Sequence, residues 1–318
     1  MQRHEMKVTI LKDSDPAEYF FEAGRCYKKG IGVEKDAIKA FLNWKKAAEM
    51  GHVRAQCMVG ICYDKGFGIY RDPLNAFTWF KKAADAGDPD AQYHVAAYYK
   101  EGVVGNQDRQ LAFFYGKKAA EQGHVDAQFF MGECYLHGHA VSQDFAKAFA
   151  WFEKAADNED PEAMMTVARF YQNGQGVQQD FYQAYLYYRS AALFDDQSNE
   201  ANLNSFYCLG ICYEKGIGIP KDLGQAVACY KAAAEKGHAD SQYRLGLCIN
   251  DGRGVNQNTG VAYYWFSLAA HQGHSGAKSH FMSFNYFDKA PSDNSHQQSR
   301  LNEQENPGID EQENKLSF

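Results

Sequence analysis

AQCMVGICYDKGFGIYRD, residues 55–72, returns as AQYHVAAYYKEGVVGNQD at 91–108 and as AQFFMGECYLHGHAVSQD at 127–144. The starts are 36 residues apart. A fixed period of this length marks a repeat architecture and decides the fold before any single residue does. The same register resumes at Ala163, Ser205, Ser241 and Ala277, with a six-residue insertion ahead of Ser205. Run backwards from Ala55, it reaches Tyr19, where YFFEAGRCYKKGIGVEKD begins. Seven full repeats and a degenerate eighth, AKSHFMSFNYF, therefore cover residues 19–287.

Each repeat reads as two helices. In the first, Ala55, Val59, Cys62 and Tyr63 fall on one helical face. Gly66 and Gly68 follow, and glycine after a helix supplies the left-handed residue that ends it. A capping residue then stands at one fixed place: Asp36, Asp72, Asp108, Asp144, Asp180, Asp222 and finally Asn258. Pro73 occupies the first helical position after Asp72. The second helix carries an Ala-Ala pair in every full repeat, from Ala47-Ala48 to Ala269-Ala270, and such small side chains let neighbouring helices approach closely. One hairpin cannot bury its apolar face alone, so the pattern predicts an all-α solenoid of stacked hairpins.

The residues that recur are the A-x-x-x-x-G-x-x-Y of the first helix, the G-x-G-V/I-x-x-D connector and the A-x-x-W-F-x-K-A-A-x-x-G-H close. In these the chain resembles the Sel-one-like repeat (SLR) family, a relative of the tetratricopeptide repeat. The resemblance implies a right-handed α/α superhelical solenoid whose first helices line a concave groove. It also implies a non-enzymatic adaptor or scaffold that holds a protein or peptide partner. Departures are local. Ala96 and Ala168 replace the first-helix glycine, and Val104 and Ala140 replace the second connector glycine. The fifth repeat lacks the G-H close and carries LFDDQSNEANLN at 193–204, where a longer loop is expected.

Composition agrees with a folding chain. Of 318 residues, 45% are hydrophobic and 23% charged, outside the disordered range. A net charge of −7 argues against a nucleic-acid partner. No apolar run is long enough to span a bilayer. The opening MQRHEMKVTIL is interrupted by Glu5 and Lys7, so no secretory signal is read there. Eight cysteines in this length are not a disulfide scaffold, and a reducing cytoplasm is the expected compartment.

Motifs that invite chemistry resolve into structure. The recurring G-x-G triplets lack the preceding strand that a phosphate loop needs. His52, His124, His238 and His274 share a repeat position with Asp88 and Asp160, which points to helix caps rather than metal ligands. Cys26, Cys62, Cys134, Cys212 and Cys248 sit just before the tyrosine place and read as small buried hydrophobes. Cys208, Cys212 and Cys229 are the one place where three thiols could gather. No catalytic motif is present, so neither enzyme activity, metal nor cofactor is expected. Relatives of the cysteine-rich SLR kind, linked to β-lactam binding or cleavage, pair one disulfide per repeat; that pairing is missing here. A β-lactamase-like hydrolase is therefore the weaker alternative.

A wheel of the first helix points to a surface. The third places read Phe21, Cys57, Tyr93, Phe129, Met165, Tyr207 and Tyr243, an aromatic-rich row. The tenth places read Lys28, Asp64, Lys100, Leu136, Gln172, Glu214 and Asn250, mostly polar and expected in solvent. Interface hot spots favour such aromatics. Tyr93, Phe129, Tyr207 and Tyr243 are the expected partner anchors, with Lys100, Glu133, Arg169 and Glu214 selecting the partner. In the competing reading the aromatics pack against the preceding repeat's first helix. Residues 1–18 are expected to cap the array, and 288–318 to form a disordered acidic tail of charge −4. That tail, ending in Leu316 and Phe318, also resembles the C-terminal signals of type IVB-secreted bacterial effectors, which would place the chain in a host cell. The oligomeric state stays open, since end-to-end dimers of a solenoid are possible.

Overall fold

The computed structural model describes residues 15–194 and 200–288. Among these residues there are fifteen helices and no strand. The first hairpin is α1 (Pro16–Lys29) with α2 (Ala37–Glu49), followed by α3 (Val53–Lys65) with α4 (Pro73–Asp85) and α5 (Pro89–Glu101) with α6 (Arg109–Glu121). Then come α7 (Val125–His137) with α8 (Phe145–Asp157), α9 (Pro161–Asn173) with α10 (Phe181–Ala192), and α11 (Glu200–Lys215) with α12 (Leu223–Ala234). The series ends with α13 (Ala239–Asp251), α14 (Thr259–His271) and α15 (Ser275–Asp288). Each helix packs on the one before and the one after it, and α9 also meets α11 directly. The chain is an all-α solenoid. All of the expected N-terminal cap but residues 15–18, and all of the tail but Asp288, lie outside the described residues.

Local chemistry repeats with the fold. The Oδ1 of Asp72 accepts the N–H groups of Leu74 and Asn75, both at 3.1 Å, and Pro73 supplies the first helical residue. The histidines cap in the same way. The Nδ1 of His52 accepts the Ala55 N–H at 3.0 Å, and His124, His238 and His274 repeat the bond to Ala127, Ser241 and Ala277. An imidazole that accepts at Nδ1 carries its proton on Nε2. Gly66 ends α3 in the left-handed region at φ 70°. Gly68 is required for another reason: a Cβ there would lie 2.1 Å from the carbonyl oxygen of Ala37, at the start of the previous hairpin's second helix.

The core is a ladder of glycine and aromatic pairs. A Cβ on Gly60 of α3 would stand 2.5 Å from the Phe80 ring of α4. Gly24 with Trp44, Gly132 with Phe152, Gly210 with Tyr230 and Gly246 with Phe266 repeat the arrangement. In these five hairpins the aromatic of the second helix rests against bare backbone of the first; in the fifth hairpin Ala168 and Tyr188, both buried, hold the two places. The Ala-Ala pairs are buried throughout. Side chains also latch one hairpin to the next: Gln56, Gln92, Gln128 and Gln242 donate to the carbonyls of Ala48, Ala84, Ala120 and Ala234.

Two further places depart from this rule. In the third hairpin Ala96 stands at the glycine place and Gly116 at the aromatic place, so the ladder lacks a rung. Phe130, from α7 of the next hairpin, fills it; a Cβ on Gly116 would meet that ring at 2.6 Å. In the insertion, residues 200–204 are helical and lengthen α11 to 16 residues, so the expected longer loop is partly helix. The reason is Asn202, which is buried and donates from Nδ2 to the carbonyls of Ala191, Ala192 and Phe194 at 3.3, 2.8 and 3.2 Å. It satisfies the end of α10, where the G-H close is missing.

Candidate functional site: a cleft between the third and fourth first helices

The aromatic row serves first as packing. Phe21 and Tyr93 stack on His52 and His124 of the following hairpin, with ring centroids 4.4 and 4.7 Å apart, and Tyr243 lies tilted on His274 at 4.4 Å. Tyr207 lies tilted against His238 at 5.5 Å. The competing reading is right that this part of the row packs on a neighbouring repeat, but the neighbour is the following one, through its N-cap histidine, and not the preceding repeat's first helix. Phe129 differs because the following cap is Asp160. Its described ring contact is an edge on Phe152 at 5.1 Å, within its own hairpin.

At Tyr93 and Phe129 the row opens into a cleft of about 100 Å³ between α5 and α7. Tyr93, Ala97, Lys100, Phe129 and Glu133 line it, with Phe130 below. Two sequence features make the room. Ala97 is the smallest side chain at the seventh place, where other repeats carry Arg25, Ile61, Glu133, Arg169, Ile211 and Leu247. Phe130 is also drawn inward over Gly116. Glu101 and Asp126 complete the rim. The Lys100 ammonium lies 5.2 Å from the Phe130 ring centroid and 3.3 Å from the Glu133 carboxylate. Burial pushes the Tyr93 hydroxyl up to about 12, helped by the negative charge of Asp126, Glu133 and Glu101.

Four of the eight candidate residues therefore converge: Tyr93, Lys100, Phe129 and Glu133. Arg169 is exposed on α9, one hairpin further on. Tyr207 and Tyr243 belong to α11 and α13 and are half-buried against their cap histidines. Glu214 is not where the wheel places it. It is 8% exposed, accepts the Tyr230 hydroxyl at 2.7 Å and pairs with Arg253 at 2.7 Å. The tenth place has a structural task when the ladder aromatic is tyrosine: Gln172 likewise accepts the Tyr188 hydroxyl at 2.8 Å. That coupling could have been read from the sequence, since each acceptor precedes its tyrosine by 16 residues. Phe130, Asp126 and Glu101 were missed because a single-helix wheel carries no information about a neighbouring helix.

The three thiols do not build a reactive centre. Cys212 and Cys229 are buried, and burial pushes each up to about 12; burial raises Cys208 as well. All eight cysteines are free thiols. Among the described residues no group of three or more His, Cys, Asp or Glu side chains is placed to hold a metal ion. No helix of the described residues is long and apolar enough to cross a membrane.

Stacked helical hairpins with an aromatic cleft on the first-helix side define the class of α-solenoid repeat scaffolds. The Sel1 repeat profile matches residues 21–52, 53–88, 89–124, 125–160, 161–193, 207–238 and 239–274, and the chain belongs to the Sel1 repeat family. It is similar to a solved protective antigen of uropathogenic Escherichia coli displaying an SLR fold, with 28% identity and a TM-score of 0.81. That match covers 90% of this chain and 59% of the antigen, so this chain spans about three fifths of its length. A Sel1 repeat protein from Oxalobacter formigenes is similar at 30% identity and a TM-score of 0.67, covering 84% of this chain and 76% of the other. No curated protein matches the chain. Sel1 repeat proteins generally mediate protein–protein interaction.

Proposed function

We propose that this protein is a non-enzymatic adaptor that binds a protein partner on its first-helix face, with the cleft between α5 and α7 as the anchoring point. The observation that carries the reading is the convergence of Tyr93, Lys100, Phe129 and Glu133 on that cleft. Elsewhere along the third-place row Phe21, Tyr207 and Tyr243 pack on cap histidines. Tyr93 keeps such a stack and also reaches the cleft. Half-buried aromatics beside charged rims are the composition of interface hot spots. The raised thiols and the absence of a catalytic motif favour an adaptor over a hydrolase.

The test is affinity capture with mass spectrometry, run in parallel on lysate of the source organism and on a eukaryotic lysate. The bait is the full chain, beside Tyr93→Ala/Phe129→Ala with its fold checked by circular dichroism. A stoichiometric partner held by the full chain and lost by the folded double variant is the expected result. A partner retained equally by both would move the binding surface off this face. Absence of any stoichiometric partner in both lysates would remove the adaptor reading.

A further inference from the structure

The cleft has a charge as well as a shape. Its rim carries three carboxylates, Glu101, Asp126 and Glu133, against one base, Lys100. Tyr93 and Phe129 add aromatic faces to the wall, and Phe130 adds a third ring below. Aromatic faces and carboxylates both attract cations, and the attraction grows as the site loses water. The protein already shows how an ammonium is held here: Lys100 lies over the Phe130 ring and beside Glu133, while half of its own side chain stays in solvent.

The electrostatics of the hairpin junction point the same way. In three junctions a carboxylate from the start of one first helix faces the N-cap histidine of the next: Glu18 to His52 at 3.0 Å, Asp90 to His124 at 3.6 Å and Asp240 to His274 at 3.3 Å. Asp126 holds the corresponding place in the fourth hairpin, but the following cap is Asp160. Burial raises the Asp160 carboxyl, and the Asp126 charge raises it further. Asp126 thus faces a second acid where its counterparts face an imidazole. This unbalanced acid sits on the rim of the cleft.

From this geometry we infer that the cleft receives the ammonium or guanidinium of a lysine or arginine side chain from a basic partner segment. The side chain's methylenes lie along Tyr93 and Phe129, and its charge meets Asp126 and Glu133. The inference rests on the adaptor reading and adds the chemistry of the partner. The chain's own residues 288–318 are a poor occupant, because their acidic surplus matches the sign of the rim.

The experiment uses the full chain and four fluorescein-labelled pools of degenerate nonapeptides, alike except for a central Lys, Arg, Glu or norleucine. Binding is read by fluorescence anisotropy at low salt. The Lys and Arg pools are expected to bind at least tenfold tighter than the norleucine pool. Asp126→Asn/Glu133→Gln should reduce that preference to about twofold. Tyr93→Ala/Phe129→Ala should weaken all pools, and melting curves confirm that both variants are folded. Equal binding of all pools, still lost in Tyr93→Ala/Phe129→Ala, would overturn the cation site and leave the adaptor reading standing. Preference for the Glu pool would overturn it as well and assign selection to Lys100. No binding of any pool up to millimolar protein would also overturn it, and the adaptor reading would then be decided by its own capture experiment.

Discussion

At the scale of single residues, the caps tie this fold to acid pH. Asp36, Asp72 and Asp144 each accept a backbone N–H three residues on, and this bond holds their carboxyls below the ordinary value of 3.8. A carboxyl whose pKa is lower in the folded state contributes stability above its unfolded pKa, and that contribution is lost as pH falls through the folded one. The urea midpoint is therefore expected to drop as pH falls from about 4 toward 2. In the triple variant Asp36→Asn/Asp72→Asn/Asp144→Asn, which caps without charge, that drop should be shallower. Asp160 has the opposite sign. Its carboxyl is raised by burial and by Asp126, so its ionised form opposes folding at neutral pH. Asp160→Asn keeps the cap and should raise the melting temperature at pH 7, with little change at pH 3. Backbone strain supplies another residue-scale prediction. Ala140 has φ 64° and Glu159 φ 65°, where the corresponding repeats use glycine. Ala140→Gly and Glu159→Gly should each stabilise by about 0.5–1 kcal/mol in urea titrations, since a side chain in this region is strained. The capping role of the histidines was legible in the sequence because Asp and His alternate at one place. Burial of Glu214 was not, because it depends on the hydroxyl of Tyr230 in the paired helix.

At the scale of helices and hairpins, the repeat is a rule about pairs. Glycine on the first helix and an aromatic on the second occur together in five hairpins, where a Cβ at the glycine would meet the ring, and the fifth hairpin pairs Ala168 with Tyr188 instead. Gly132→Ala would place a methyl 2.6 Å from the buried Phe152 ring. It is expected to destabilise by about 1–3 kcal/mol, the usual cost of overpacking. The third hairpin inverts the pair, and Phe130 fills the place over Gly116. Phe130→Ala should therefore cost about 3–5 kcal/mol in chemical denaturation, as for other buried phenylalanines. Phe129→Ala, at a half-buried ring, should cost clearly less. Adding Gly116→Phe to Phe130→Ala restores the ordinary ladder and should recover part of the loss, measured as a coupling energy in a double-mutant cycle. No recovery would mean that Ala96 leaves no room for the ring. The helices themselves, their glycine ends and the Ala-Ala pairs were legible from periodicity alone. The rescue by Phe130 was not. Its place in the repeat is held by residues as different as Met58, His94 and Cys208, and nothing local marks one of them as a substitute rung.

For the whole molecule, stability is set by nearest-neighbour junctions rather than by one shared core. The glutamine latch at the start of each first helix is present at Gln56, Gln92, Gln128 and Gln242. Met164, Phe206 and Lys278 stand at that place in α9, α11 and α15, so these three junctions lack it. At the α10–α11 junction Asn202 substitutes by holding the carbonyls of Ala191 and Ala192 from within the insertion. Its removal leaves buried carbonyls without a partner, at about 1–3 kcal/mol, and does so at one junction only. Because coupling in such an array passes from neighbour to neighbour, Asn202→Ala should separate the chain into two blocks. Hydrogen exchange followed by mass spectrometry is expected to show faster exchange in α10 and α11, a smaller increase through α12 to α15, and unchanged protection in α1 to α7. That block carries α5 and, with α7, the cleft, so peptide binding at Tyr93 and Phe129 should survive the variant. Uniform acceleration along all fifteen helices would instead show that the solenoid unfolds as one cooperative unit. The cleft would then owe its shape to the far end of the array as much as to its own two helices.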